Sequence, residues 1–125
     1  MSLDFCLLGE PKEELCQCGT CGHAHTREVH EELYGRNITG NLSTMAKEAG
    51  IYTHLWYPED LLIVFAKQLI GPLRRGLIKL QADPEHFKQF DAPNGWGTYE
   101  NFLPLVENVL SACEDNPEAR VSVCR

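Results

Sequence analysis

Apolar and polar residues alternate at both ends of this chain, and that rhythm constrains the fold more than any other feature. Leu3, Phe5 and Leu7 alternate with Ser2, Asp4 and Cys6, while Ala119, Val121 and Val123 alternate with Arg120, Ser122 and Cys124. A side-chain period of two marks a strand with one buried face. A weaker alternation runs through Val29, Glu31 and Leu33. The spacing between the ends is helical. Leu42, Met45, Ala46 and Ala49 form one short apolar face, with Asn41 placed to cap it and Gly50 to stop it. Tyr57-Pro58-Glu59-Asp60 opens the longest helical pattern, in which Leu62, Phe65, Leu69, Leu73, Leu77 and Leu80 make a stripe. Pro72 lacks a backbone donor, so a kink or break is expected near Gly71. Asp83 caps a short helix through about Phe90. Thr98 caps the last helix, which buries Phe102, Val106, Val109, Leu110 and Cys113 before Asn116-Pro117 ends it. The predicted fold class is α+β: a small two- or three-stranded sheet from the terminal strands, with about four helices packed on one face.

Length and charge narrow the function classes. The 125 residues are expected to form a single domain around one core. The formal net charge of −7 opposes binding to a nucleic-acid backbone, where Lys and Arg must neutralise phosphates. Leu61 to Ala66, the longest apolar run, is far short of the roughly 20 residues that cross a bilayer. Met1 to Leu8 carries Asp4 where a signal peptide would carry basic residues. The expectation is a cytoplasmic protein that binds neither nucleic acid nor membrane.

Under cytoplasmic, reducing conditions six cysteines point to metal or redox chemistry in preference to disulfides. Gly9-Glu10-Pro11 is expected to end the first strand, and residues 12–26 to form an irregular loop within a Cys/His-rich stretch at about 12–30. That loop contains Cys16-Gln17-Cys18-Gly19-Thr20-Cys21-Gly22-His23-Ala24-His25. Cys18-x-x-Cys21-Gly22 has the shape of a zinc knuckle, because two thiolates at that spacing reach one ion and glycine permits the turn. Zinc accepts thiolate and imidazole in a tetrahedral set, so Cys16, Cys18 and Cys21 with His23, His25 or His30 are the candidate ligands. No second C-x-x-C follows, and Cys113 and Cys124 stand alone. A metal-free loop and a redox disulfide remain as alternatives. The redox reading lacks a helix after the cysteines to lower a thiol pKa. A zinc here has a structural role in preference to a catalytic one, with Glu28, Glu31 and Glu32 as solvated charges. Cys6 and Cys124 approach one another only if the terminal strands pair in a suitable register.

Two aromatic segments suggest a different chemistry. In Asp91-Ala92-Pro93-Asn94-Gly95-Trp96-Gly97-Thr98-Tyr99, Asn94-Gly95 favours a turn with positive φ, and glycines flank the tryptophan. Tyr52, His54, Trp56 and Tyr57 form the second group. The first expectation for Trp96 is that it fills the gap between the long helix and the last one. The alternative is a concave ligand site built from Asn37, Asn41, Trp56, Trp96 and Tyr99.

From Asn37 onward the chain resembles a family of small bacterial and phage-borne proteins of uncharacterised function. The resemblance rests on Asn37-Ile38-Thr39-Gly40-Asn41-Leu42, Met45-Ala46, Glu48-Ala49-Gly50-Ile51-Tyr52, Leu55-Trp56, Leu73, Gly76-Leu77, Asn94-Gly95-Trp96-Gly97-Thr98-Tyr99-Glu100 and Cys113. It implies a shared fold and a shared surface around those segments, and no activity. Family members often carry His where this chain has Gly40, and Arg where it has Tyr57.

Two functions follow. The first is a non-enzymatic module with structural zinc, acting on a protein partner. The second is a small-molecule binder or enzyme centred on the residues around Trp56 and Trp96. A homodimer through an apolar helix face is compatible with either. No G-x-S-x-G, Walker loop, paired-glycine dinucleotide motif or H-E-x-x-H occurs, so no catalytic residue is singled out.

Overall fold

The structure, a computed structural model, describes residues 2–17 and 24–125, and of residues 10–17 and 24–29 it describes the backbone. Strand β1 (Leu3–Gln17) pairs antiparallel with β2 (Ala24–Ile38) on one side and with β3 (Arg120–Cys124) on the other, giving the order β2-β1-β3. The terminal alternation sets the inner face. Leu3, Phe5 and Leu7 are fully buried, and Ile38 lies opposite Leu3 and is buried with it. Asp4 and Asn37 are exposed on the other face. The fold is therefore α+β with its helices on one side of a three-stranded sheet.

The first hairpin is longer than expected. Strand backbone continues to Gln17 and resumes at Ala24, so residues 12–17 and 24–26 are not irregular loop. Gly9-Glu10-Pro11 does not end β1. The pairing instead shifts register between Leu7 and Leu8 and again between Leu8 and Pro11. Pro11 has no N–H to give to the ladder, and a bulge accommodates this without ending the strand. Because β3 pairs only with Asp4 to Leu8, the rest of β1 is paired by β2 alone among the described residues.

Five α-helices follow: α1 (Ser43–Ala49), α2 (Tyr52–Trp56), α3 (Lys67–Ala82), α4 (Pro84–Lys88) and α5 (Tyr99–Asp115). Leu42, Met45, Ala46 and Ala49 are buried as their spacing predicts, and Gly50 ends α1 in the left-handed region at φ 78°. Asn41 is not the cap. It lies in a 3₁₀ turn over Gly40–Leu42, where the Thr39 hydroxyl accepts from the Asn41 N–H. Asp83 accepts from the His86 N–H, and Thr98 accepts from the Asn101 N–H, so both predicted caps are made. Helix α5 buries Phe102, Val106, Val109, Leu110 and Cys113.

The long helix begins later than its stripe suggests. A 3₁₀ turn covers Pro58–Leu61, and the chain then runs non-helically to Ala66. Tertiary pairing overrides helical spacing here: Val121 N–H donates to the Val64 carbonyl, Ala66 N–H to Ala119, and Lys67 N–H to Pro117. The Gln68 side chain accepts from the N–H groups of Val64 and Phe65, at 2.7 and 2.8 Å. Leu62 is consequently exposed, with φ 57°, and does not join the core stripe. Pro72 lies inside α3, which continues past it to Ala82. Gly76 brings α3 close to the α1–α2 connection, since a Cβ there would come 2.5 Å from Ile51 Cγ2. The core joins the inner sheet face to α1, α2, α3 and α5. No helix among the described residues is long and apolar enough to cross a membrane.

Candidate functional site

The most chemically specified concavity lies at the β2 edge of the sheet, where the end of that strand meets the start of α5. It is a cavity of about 330 Å³ lined by Arg36, Asn37, Thr39, Leu42, Gly95, Trp96, Gly97, Asn101 and Leu105. That size falls within the usual range for small-molecule sites.

A tight loop presents the tryptophan. Ala92 N–H donates to the Gly97 carbonyl and Gly95 N–H to Ala92, closing the turn at 3.0 and 3.1 Å. The Trp96 N–H donates to Asn94 Oδ1 at 3.0 Å, and the Trp96 carbonyl accepts from Asn41 Nδ2 at 2.7 Å. Both glycines are required by the backbone: Gly95 has φ 75° and Gly97 φ 112°. A Cβ on Gly97 would also sit 2.9 Å from the Asn41 Cβ, so the loop lies flush against the turn that holds Asn41. Main-chain bonds on both sides of Trp96 thus fix the backbone while the indole stays 72% exposed. Leaving such a ring outside the core forgoes on the order of 2–3 kcal/mol of apolar burial. The expected packing of Trp96 between the long and last helices does not occur.

Arg36 supplies the charge. It lies opposite Phe5 in the register, and directly opposed residues of an antiparallel pair share a face. Arg36 therefore belongs to the apolar, helix-covered face, at an edge strand that leaves it exposed beside the cavity. It makes no ion pair among the described residues. Two residues earlier on that face, burial raises the Tyr34 phenol pKa, and the nearby Arg36 charge offsets part of the rise.

The five residues expected to form a ligand site separate into two groups. Asn37 and Trp96 line the cavity and Asn41 anchors its loop, although the Asn37 amide itself donates to Asp4 Oδ1 at 2.7 Å. Trp56 and Tyr99 do not line it. Trp56 is 2% exposed in the core, stacked on Tyr52, and its carbonyl accepts from the Arg125 guanidinium. Tyr99 is buried and its hydroxyl donates to the Leu80 carbonyl at 2.7 Å. Both lie on helix faces that turn toward the core. Arg36, Thr39, Asn101 and Leu105 carry no motif. Only strand alternation marks Arg36, which is in phase with Tyr34 and Ile38 on a face that is otherwise apolar.

Of the candidate metal ligands, Cys18, Cys21 and His23 lie outside the described residues. The register sets Cys16 opposite His25. His30 pairs instead with Pro11, five residues and about 17 Å farther along the strand. The His30 ring Nδ1 lies 3.3 Å from the Gly9 carbonyl. Among the described residues no group of three or more His, Cys, Asp or Glu side chains is gathered to hold a metal.

Cys113 and Cys6 make poor nucleophiles. Burial pushes the Cys113 thiol up to about 12. Burial, with the hydrogen bond to Glu32, pushes Cys6 up to about 11. The terminal strands do pair: Cys124 lies opposite Asp4 and Ser122 opposite Cys6, so Cys6 and Cys124 are diagonal neighbours on the outer face.

No family model matches this chain, and no curated protein or solved structure matches it.

Proposed function

We propose that this chain binds a small organic molecule in the cavity beside Trp96. One observation carries the reading: an indole left in solvent by a loop whose backbone is bonded on both sides, over a cavity of about 330 Å³. An exposed ring on a flexible loop would be ordinary surface. A ring on a locked backbone above a cavity has the form of a binding wall, with Leu42 and Leu105 supplying further apolar lining. The proposed kinship with uncharacterised bacterial and phage-borne proteins rests in part on Asn37 to Leu42 and Asn94 to Glu100, the same segments that build this wall. The test is thermal stability across a small-molecule library, for the wild type and for Trp96→Ala. A fitting ligand raises the melting temperature of the wild type and leaves the variant unmoved. A library that shifts both proteins equally, or neither, counts against the site.

A second reading belongs to the far end of the first hairpin, where the backbone register pairs Cys16 with His25. A two-stranded ribbon is marginal in water by itself, and a metal at its end would add binding energy to folding. In this reading zinc is held by Cys16, Cys18, Cys21 and one of His23 and His25, and the chain is a cytoplasmic accessory module for a protein partner. Zinc analysis of the untagged protein, with melts before and after chelation, tests it. About one zinc per chain and a lower melting temperature after chelation are expected, whereas metal-free protein of unchanged stability rejects it.

A further inference from the structure

Resting on the reading of the Trp96 cavity as a ligand site, we infer that its ligand is a small planar ring bearing an anionic group, carboxylate or phosphate, with Arg36 as the anion partner. Charge is the first argument. The chain carries a net −7, yet no Asp or Glu lines this cavity and Arg36 does. The local sign is opposite to that of the whole molecule, and Arg36 is not neutralised by a described carboxylate. Arg36 also borders a concavity on the outer face with Asp4 and Glu32, but Asp4 accepts from the Asn37 amide, Glu32 accepts from the Cys6 thiol, and neither forms an ion pair with Arg36.

Hydrogen-bond bookkeeping points the same way. Arginine has donors and no acceptor. The Thr39 oxygen already accepts from the Asn41 N–H, which leaves its own proton to donate. The Asn101 side chain has no hydrogen-bond partner among the described residues and adds two donors beside its own carbonyl acceptor. With a guanidinium as its one charged group and no carboxylate, the lining favours a ligand that brings acceptors to Arg36. A guanidinium meets carboxylate or phosphate oxygens with a planar fork of N–H groups, and that geometry favours an anion over a neutral amide. The flat indole face and the Leu42 and Leu105 side chains suit a single ring.

The experiment follows the indole N–H of Trp96 by NMR during titration with matched probes: benzoate against benzamide, nicotinate against nicotinamide, and phenyl phosphate against phenol. The anionic member of at least one pair moves the Trp96 signal at a concentration about tenfold lower than its neutral partner, the size of one charge-assisted hydrogen bond. Carboxylate-only or phosphate-only preference identifies which anion the site takes. In Arg36→Gln the advantage disappears while the Trp96 signal still responds to the rings. Neutral and anionic partners acting equally in the wild type overturn the anion inference and leave the cavity reading standing. A wild-type advantage that survives in Arg36→Gln overturns the role of Arg36. No response from any probe overturns the inference together with the reading it rests on.

Discussion

The two tryptophans have opposite fates. Trp56 ends a helix whose face turns inward, stacks on Tyr52 at 5.1 Å between ring centroids, and is 2% exposed. Trp96 stands between two left-handed glycines in a closed turn and is 72% exposed. Both backbones are pinned through the carbonyl, Trp56 by Arg125 and Trp96 by Asn41. The same anchoring device therefore serves a core residue in one place and a surface residue in the other. Aromatic character does not decide the outcome. The backbone that carries the ring does: a helix presents it to the sheet, and a glycine-flanked turn lifts it away.

The largest effect is expected from truncating the two rings. Trp56→Ala should cost about 3–5 kcal/mol of unfolding free energy, while Trp96→Ala should stay within about 0.5 kcal/mol. Chemical denaturation of both variants measures this, and equal losses would break the contrast. Next is Gly97→Ala, which forces a side chain into φ 112° and into a Cβ position 2.9 Å from the Asn41 Cβ. A loss of about 1–3 kcal/mol is expected, together with changed Trp96 fluorescence. Asn41→Ala removes the bond to the Trp96 carbonyl. It should cost about 1 kcal/mol and loosen the indole, read as a drop in its fluorescence anisotropy. An unchanged anisotropy would mean that the loop holds itself without Asn41.

A smaller, graded effect should appear on acidification, and only on the Trp56 side. His54 lies on α2 with Trp56, and burial followed by the Arg75 charge holds its pKa below the ordinary 6.5. The unfolded chain therefore takes the proton first. Stability from this group is complete above pH 6.5 and is lost as pH falls through the lower folded value. His54→Gln should flatten that part of the stability profile, and an identical slope in the variant would assign it elsewhere.

Much of the frame was legible because it rests on local chemistry. Thr98, Asp83 and Gly50 cap or stop helices by contacts within a few residues, and the terminal alternation needs only the sheet's one buried face. What was hidden depends on distant partners. The break at residues 62–66 exists because β3 pairs with Val64 and its neighbours, and no local pattern announces that pairing. Asn41 has the composition of a cap, yet its amide bonds a carbonyl 55 residues away. The length of the first hairpin was obscured because Gly9 and Pro11 look like a stop and are absorbed as register shifts. Of the site, Asn37, Asn41 and Trp96 stood out by residue type. Arg36 became visible only once the register placed it opposite Phe5.

The most direct test of the central claim is a two-indole NMR experiment on the wild-type protein across a small-molecule library. Compounds that bind should move the Trp96 indole N–H together with the Asn101 side-chain amide and leave the Trp56 indole in place. Binding that moves Trp56, or a library that never moves Trp96, would contradict the proposal that this cavity is a ligand site.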